Sequence, residues 1–183
     1  EGFARALSSY IGKKTGLIPY KAHKSNYTYT IDAKTKKIRP YVAVAIVKGV
    51  HFDQAFYEAF MNLQEKLCLT HGRNRKKVAI GIYPLEKIKL PIRFEARIPK
   101  DIRFIPLEED RELSAPQILT KHPAGKEYAN LLENEKVYPL FVDANKNVLS
   151  MPPIINSHDV GKITDKTRDV FIECSGHDLY TLK

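Results

Sequence analysis

The stretch IRPYVAVAIV, residues 38–47, is the first guide to the fold. It is a nearly continuous run of Val, Ala and Ile, which predicts a β-strand buried on both faces of a sheet. A long helix follows, with Asp53 as its N-terminal cap and Gly72 just beyond its end. Residues 78–83 form another apolar run and predict a further strand. The sequence therefore predicts a strand, a long helix and a strand near the centre of the fold.

The predicted long helix carries an apolar stripe at helical spacing. Its members repeat at i, i+4, i+7 and i+11 and are Phe56, Phe60, Leu63 and Leu67. The stripe has two interpretations, namely packing against the core or a platform on which nucleic-acid bases stack. We expect core packing, because this period is the usual mark of the buried face of a helix.

The remaining predicted elements are short and do not alternate regularly between strand and helix. The predicted strands are residues 27–31, 92–98, 102–104, 137–142, 148–151 and 170–174. The predicted helices are residues 3–11, a short helix that begins with the capping box at 114–117, and a segment around 128–132. Residues 143–147 have the composition of a hairpin turn, and residues 156–167 are expected to form a loop. This pattern predicts an α+β fold with a mixed, mainly antiparallel sheet and flanking helices.

The composition is that of a globular protein. The chain has 183 residues, of which 43% are hydrophobic, and we expect one domain over residues 1–183. The longest apolar run is far below the roughly 20 residues of a membrane span, which predicts a soluble protein. Cys68 and Cys174 form no C-x-x-C pair and the six histidines lack metal-ligand spacing. We therefore expect no bound metal and a reducing, cytoplasmic compartment.

The charge of the chain is strongly positive, with a formal net value of +9. A basic surface attracts polyanions, which makes nucleic acid the first partner to consider. One basic cluster consists of Lys34, Lys36, Lys37 and Arg39, and a second consists of Arg73, Arg75, Lys76 and Lys77. From charge alone, each cluster fits a solvated turn between strands equally well.

Three groups of residues, in this order and spacing, resemble one protein family. The first is IRPYVAVA at 38–45, and the second is LQEKL at 63–67 followed by RNRKKVAIG at 73–81. The third is LSMPPIIN at 149–156 followed by FIEC at 171–174. Together they resemble the central region of the β subunit of archaeal and eukaryotic phenylalanyl-tRNA synthetases. The resemblance runs nearly from end to end, and its most specific part is the third group.

The resemblance implies a B3/B4-like editing region of a longer β subunit. The opening of the chain agrees with this expectation, because it lacks an initiator Met and enters a helical pattern at once. Enzymes of the family are α2β2 tetramers whose α subunits hold the ATP- and magnesium-dependent synthetic site, so this segment itself is expected to need no cofactor. Its expected partners are the acceptor end of tRNA(Phe), tyrosine as the edited amino acid, and the α subunit.

Two functions of such a segment are compatible with the sequence. The first is hydrolysis of the ester that joins a wrongly attached tyrosine to tRNA(Phe). The alternative is a tRNA-docking or assembly module of the same β subunit without hydrolytic activity.

Glu173 is the residue on which the editing hypothesis depends, since it interrupts the apolar strand 170–174. Simple alternation favours Val170, Ile172 and Cys174 in the core and Phe171 and Glu173 in solvent. The resemblance places an acidic residue at this motif position, and we then expect Glu173 to accept the phenolic hydrogen of tyrosine. Phenylalanine would leave that buried acceptor unpaired and would be spared.

The hydrolytic groups are expected where the second strand of the hairpin meets the final strand. Hydroxyl and amide side chains in that region can position a water molecule and stabilise an oxyanion. The candidate catalytic residues are Ser150, Asn156 and Ser175, and the candidate substrate-binding residues besides Glu173 are Ser157, Leu149 and Phe141. Serine and asparagine near turns are more often local caps, and the family more often has threonines in segment 175–178.

Two further groups of residues receive roles from the resemblance or from their position. His158 and His177, each followed by an aspartate, lie near the expected site, and we expect both to be surface or loop residues rather than general bases. The second basic cluster, Arg73, Arg75, Lys76 and Lys77, is expected to contact the backbone of the tRNA acceptor arm.

Overall fold

The computed structural model describes residues 2–16 and 19–182. The predicted domain 1–183 also includes Glu1, Leu17, Ile18 and Lys183, which lie outside the described residues. In order, the described strands are β1 Tyr29–Ile31, β2 Tyr41–Val47, β3 Val78–Pro84, β4 Ile92–Arg97, β5 Arg103–Phe104, β6 Leu113–Ser114, β7 Tyr138–Val142, β8 Val148–Met151, β9 Ile155–Asn156 and β10 Val170–Gly176. The described helices are α1 Gly2–Tyr10, α2 Gln54–Leu69, α3 Ala115–Lys121, α4 Pro123–Tyr128, α5 His158–Gly161 and α6 Leu179–Leu182.

The strands form three sheets. Five strands pair in the order β1-β4-β7-β8-β9, three in the order β2-β10-β3, and β5 pairs with β6. The β1–β4 pair is parallel, and the other pairs between named strands are antiparallel. The predicted α+β fold with a mixed, mainly antiparallel sheet is therefore confirmed.

A core of aromatic and aliphatic side chains joins the five-stranded and three-stranded sheets. Tyr83 and Phe171 from the smaller sheet pack with Phe94, Phe141 and Leu149 from the larger one. The rings of Phe94 and Phe141 stack at 4.5 Å between centroids, and those of Tyr83 and Phe171 lie 6.0 Å apart. The two sheets therefore face each other across this core, and side chains that point into the gap are removed from water.

Strand β2 differs from its prediction in both length and burial. It begins at Tyr41, and its residues are half-buried or exposed. The reason is its position, because β2 is at the edge of the three-stranded sheet and β10 lies at the centre. Apolar composition predicted the strand correctly, but it did not distinguish an edge strand from a central one.

Helix α2 confirms the predicted long helix and corrects its environment. Asp53 caps it, with its carboxylate accepting a hydrogen bond from the Phe56 amide at 2.7 Å. Phe60 and Leu63 are half-buried, whereas Phe56 and Leu67 are 44% and 40% exposed. Half of the apolar stripe is therefore partly exposed, although Phe56 still packs against the rings of Phe52 and Phe60.

The other predicted elements form, and some differ from the prediction in where they begin or end. Helix α1 and the hairpin β7–β8 form as predicted, with Asp143 accepting hydrogen bonds from the turn residue Asn147. The second helical segment begins earlier, at Pro123, because His122 caps it through Nδ1. The predicted loop 156–167 contains the end of β9 and all of α5. Among the described residues, no helix is long and apolar enough to span a bilayer.

Candidate functional site

A cavity of about 190 Å³ opens beside the junction of the two large sheets. Its walls come from α2, β3, β8, β9, β10 and the turn that follows β8. Residues that line it include Met61, Gln64, Glu65, Arg75, Ala79, Ile80, Leu107, Ser150, Pro153, Ile154, Asn156 and Glu173. A cavity of about 150 Å³ already accommodates a benzene ring. This cavity is therefore large enough for an aromatic side chain.

Glu173 lies on the wall of this cavity and is only 2% exposed. It occupies the middle of β10, opposite Val44 of β2 and Gly81 of β3. Its Oε1 accepts a hydrogen bond from the Tyr83 hydroxyl at 3.2 Å. Among the described residues, its other oxygen, Oε2, is buried without a hydrogen-bond partner. One acceptor atom of the carboxyl group thus lacks a hydrogen bond of good geometry, although the Ser175 hydroxyl on the same face of β10 also acts on the group.

The charge state of Glu173 depends on burial and on one buried cation. Burial raises the pKa of Glu173 to about 7, while the Arg39 cation and the hydroxyl groups of Tyr83 and Ser175 act to lower it. Arg39 is 2% exposed, and burial lowers its pKa to about 10, so it stays cationic at neutral pH. The carboxyl group can therefore gain or lose its proton near neutral pH.

Arg39 is held by the end of β10. Its Nε donates to Ser175 Oγ at 3.2 Å, and a guanidinium nitrogen donates to the Ser175 carbonyl oxygen. A longer contact of 3.5 Å reaches the carbonyl oxygen of Arg75. Ser175 itself is fully buried. Its hydroxyl therefore serves to fix Arg39, two residues from Glu173.

Tyr83 and Gly81 complete the surroundings of Glu173 on β3. The Tyr83 ring is fully buried, and its hydroxyl also donates to Ser150 Oγ at 2.7 Å. A Cβ atom at Gly81 would lie 2.5 Å from Glu173 Oε1 and closer still to the Tyr83 hydroxyl. Only glycine at this position leaves room for the phenol and the carboxyl group together.

Ser150 and Asn156 are brought together by strand register. They are direct partners in the antiparallel pair β8–β9, and both line the cavity. The Asn156 amide makes two long contacts of 3.5 Å, to the carbonyl oxygens of Ile82 and Gly161. A hydroxyl and a carboxamide therefore share one wall with Glu173.

Arg75 closes the cavity on another side. Its NH1 donates to the carbonyl oxygens of Pro153 and Ile154 at 3.1 and 2.9 Å, and its NH2 pairs with Glu65 Oε2 at 2.8 Å. Its guanidinium lies 4.1 Å from the centre of the Tyr128 ring. Arg75 thus ties α2 and α4 to the turn that follows β8.

A second, smaller cavity of about 100 Å³ adjoins the first. The two share Met61, Gln64, Leu107 and Asn156 in their walls. Tyr57 and Lys162 contribute to the second cavity alone. A ligand bound in the first cavity could therefore continue past Gln64 and Asn156.

The predicted site residues fall into two sets. The structure brings Glu173, Ser150 and Asn156 to one cavity. Phe141 and Leu149 are instead fully buried in the aromatic core, and Ser157 precedes α5 with its hydroxyl buried. Like the buried Ser175, these three residues do not line the cavity, and their contact with a substrate stays a prediction.

The residues of the second basic cluster also differ in their exposure. Arg73 and Lys76 are exposed, whereas Lys77 is half-buried and pairs with Asp178 at 2.7 Å. Arg75 points inward, as described above. Only Arg73 and Lys76 therefore present free charge to solvent in the manner expected of a phosphate-binding group.

The histidines behave in part as predicted. His177 is exposed after β10, while His158 is half-buried at the start of α5 with an unpartnered Nδ1. Asp159 is exposed. Within the part of the chain that the structure describes, His, Cys, Asp and Glu do not form a group of three that could hold a metal ion.

Sequence reasoning missed Arg39, Tyr83 and Gly81. Arg39 belongs to a basic cluster for which charge alone fits a nucleic-acid surface and a solvated turn equally well, although its position inside the apolar run 38–47 was a usable signal of burial. Tyr83 is predicted only as part of an apolar strand, and Gly81 as part of that strand and of the family-like segment 73–81. Their role depends on pairing with β10, which a single sequence does not reveal.

Known proteins resemble the chain along its whole length. The phenylalanine–tRNA ligase beta subunits of Thermococcus onnurineus and Pyrococcus horikoshii are each 45% identical to it over 179 residues, which cover 98% of this chain. The chain spans about a third of the length of these curated relatives, 31% and 32% respectively. No family model matches the sequence.

A solved structure agrees with these relatives. An N-terminal fragment of the phenylalanyl-tRNA synthetase beta subunit from Pyrococcus horikoshii superposes with a TM-score of 0.91 at 43% identity. The match covers 99% of this chain and 52% of that fragment. Along its whole length, this chain therefore belongs with the phenylalanine–tRNA ligase beta subunits, as one homologous segment of them.

Proposed function

We propose that this chain is an editing segment that hydrolyses the ester between tyrosine and tRNA(Phe). The observation that carries the proposal is the unpartnered Oε2 of Glu173, buried beside a cavity of aromatic size. A buried acceptor without a partner costs free energy. A ligand whose hydroxyl donates to Oε2 removes that cost, and tyrosine carries such a hydroxyl at the end of its ring.

The need for a second site follows from the limits of an apolar pocket. A pocket shaped for phenylalanine rejects an analogue with one added hydroxyl by a factor of only about a hundred. A site that requires the hydroxyl has the opposite preference. Phenylalanine bound here would leave Glu173 Oε2 unpaired, and this penalty protects the correct product.

Hydrolysis requires a positioned water and donors to the developing oxyanion. In the proposed reaction, water adds to the carbonyl carbon of the ester, the bond to the ribose oxygen breaks, and that oxygen leaves with a proton. The Ser150 hydroxyl and the Asn156 amide line the same cavity as Glu173 and can supply hydrogen bonds to the water or to the oxyanion. The products are free tyrosine and tRNA(Phe).

The remaining partners are proposed from the family. Arg73 and Lys76 are exposed and are available to tRNA phosphates. The rest of the β subunit and the α subunit, where ATP and magnesium are expected to act, would bring the charged acceptor end to the cavity. The smaller adjoining cavity leaves space beside the ester for the attached ribose.

The decisive experiment measures release of labelled tyrosine from tyrosyl-tRNA(Phe) and of phenylalanine from phenylalanyl-tRNA(Phe). It uses this chain alone and the complete ligase, each as wild type, Glu173→Gln and Glu95→Gln. Glu95 is a matched control, because its carboxylate is 13% exposed and pairs with Arg93 and Arg97 on β4.

We expect the wild type to release tyrosine preferentially. Glu173→Gln should reduce the preference by roughly tenfold to a hundredfold, the value of a buried hydrogen bond to a charged group, and Glu95→Gln should leave it unchanged. A protein that binds both charged tRNAs and releases neither amino acid would contradict editing and support the docking alternative.

A further inference from the structure

The Tyr83 hydroxyl touches two groups of the proposed site at once. It lies 2.7 Å from Ser150 Oγ on β8 and 3.2 Å from Glu173 Oε1 on β10. These two residues belong to different sheets. Tyr83 is therefore a hydrogen-bonded link across the gap between the sheets, at the point where the cavity forms.

Tyr83 cannot itself contact a ligand in the cavity. Its side chain is fully buried, and the cavity walls nearest to it are formed by Ser150 and Glu173. Any influence on the reaction must therefore pass through those two residues.

The Tyr83 hydroxyl and the Glu173 carboxyl group are closely packed. The Cβ atom of any residue other than glycine at position 81 would overlap both the Tyr83 hydroxyl and Glu173 Oε1. The Tyr83 ring also packs against Phe171, two residues from Glu173 on the same face of β10. Packing thus fixes the phenol in the one position from which it reaches both partners.

We propose that Tyr83 is a positioning residue that joins amino-acid recognition to hydrolysis in the editing site. By donating to Oε1, it turns the Glu173 carboxyl group so that Oε2 is the oxygen left for the substrate. When Tyr83 instead donates its hydrogen to Ser150 Oγ, the hydrogen of the Ser150 hydroxyl is free to be donated into the cavity. This inference rests on the proposed function.

One hydrogen atom cannot serve two acceptors fully. When a substrate phenol donates to Oε2, the carboxylate needs less from Tyr83, and the Tyr83 hydrogen can move towards Ser150. Binding of the correct side chain would thus change the hydrogen bonding of Ser150. Phenylalanine, which lacks the hydroxyl, would leave Tyr83 engaged with Glu173.

The test is Tyr83→Phe, which keeps the ring and removes only the hydroxyl. Tyr138→Phe is the matched control, because Tyr138 is a buried tyrosine of β7 in a different core cluster. In the complete ligase, we expect Tyr83→Phe to lower kcat for tyrosine release, with the preference for tyrosine over phenylalanine falling about tenfold. The control should change neither quantity.

A pH profile separates positioning from simple packing. The Tyr83 hydrogen bond lowers the pKa of Glu173, so its removal should shift the acidic limb of the kcat profile to higher pH. The other titratable or charged groups coupled to Glu173 are Arg39, Cys68 and Cys174, which are unchanged in the variant. A Tyr83→Phe protein that melts at lower temperature but keeps both its selectivity and its profile would overturn the proposal.

A double-mutant cycle with Ser150→Ala adds a second measure. The two substitutions should be non-additive in kcat, because each breaks the same link. Additive effects would count against the coupling.

The titration of Glu173, followed by carbon NMR, distinguishes failure of this inference from failure of the editing function. If the wild type releases no tyrosine but Tyr83→Phe still raises the pKa of Glu173, the hydrogen-bonded link is supported and the editing function is contradicted. If the wild type releases tyrosine and Tyr83→Phe changes neither the titration of Glu173 nor the preference for tyrosine, the editing function is supported and the role of Tyr83 is contradicted.

Discussion

The two faces of strand β10 have opposite chemistry. One face presents Phe171, Glu173 and Ser175 to the gap between the sheets, where all three are at most 3% exposed. The other presents Val170, which is also buried, followed by Ile172 and Cys174, which are only half-buried. From Phe171 onwards, the more polar face is thus the more deeply buried one. Hydrophobic alternation alone therefore predicts the wrong orientation for this strand.

The difference between the two faces shows where the fold buries a polar group at a cost in stability and thereby forms the proposed site. Burying a carboxyl group is unfavourable unless it is paired or hydrogen-bonded. Here one oxygen of Glu173 is bonded to Tyr83, a cation lies near it in Arg39, and the other oxygen has no partner in the described chain. The apolar residues on the opposite face carry no such cost and have no comparable constraint.

The largest effect should come from removing a ring between the sheets. Phe171→Ala should lower the free energy of unfolding by about 3–5 kcal/mol, because it leaves a cavity in a closely packed core. Ile172→Ala, on the half-buried face, should cost about 1–2 kcal/mol. Urea unfolding of the two variants measures both values. Equal costs would mean that the two faces of β10 do not differ in packing.

The sequence predicted the elements of the fold better than their surroundings. Helix α2, the hairpin β7–β8 and the strand that carries Glu173 each have a strong local pattern, and all three form. Burial depends on which strands become neighbours. The run at residues 38–47 has the composition of a central strand, yet β2 lies at the edge of its sheet.

The same limit applies to the candidate site. Ser150 and Asn156 face each other because β8 and β9 pair in that register, and segment 149–156 indicated both. Tyr83 is 67 residues from Ser150 and 90 from Glu173 in the chain. No local pattern indicates contacts at such separation. Serines near turns look alike in sequence, and Ser150 faces the cavity while Ser175 holds Arg39.

The next largest effect should appear in the pH dependence of stability. The folded pKa of Glu173 is about 7 against an ordinary 4.5. Between these values the unfolded chain releases a proton that the folded chain keeps, so stability falls as pH rises. The contribution is present in full below pH 4.5 and is lost by about pH 7, a change of roughly 3 kcal/mol. Cys174, with a pKa near 12, adds nothing in this range.

A variant isolates this contribution from opposing ones. Partial desolvation of its ring and the nearby Arg39 cation lower the pKa of His177 below its usual 6.5, which makes stability rise with pH over part of the same range. Glu173→Gln removes only the carboxyl group, so the difference between wild type and variant at each pH gives its share. We expect the free energies of unfolding of wild type and variant, measured by urea titration from pH 4 to pH 8, to run parallel below about pH 4.5 and above about pH 7 and to differ in slope between these values. Parallel curves throughout would show that Glu173 is not held neutral by burial.

The smallest expected effect on stability concerns two neighbouring basic residues in the turn between α2 and β3. Arg75 points into the cavity that Glu173 lines, whereas its neighbour Lys76 is exposed. Arg75→Gln should lower the free energy of unfolding by roughly 1–2 kcal/mol, because Glu65 and two carbonyl oxygens lose a charged donor. Lys76→Gln should leave stability within about 0.5 kcal/mol. It should instead weaken tRNA binding and lower the slope of log affinity against log salt by about one.

Thermal melts and filter-binding titrations at several salt concentrations separate the two roles. Both residues carry one positive charge, so a loss of affinity that depended on charge alone would be equal in the two variants. We expect the loss at Lys76 to be electrostatic and salt-dependent. The loss at Arg75 should follow the damage to the cavity wall and persist at high salt, because its cation is already engaged inside the fold. The opposite result would place Arg75 on the tRNA-binding surface.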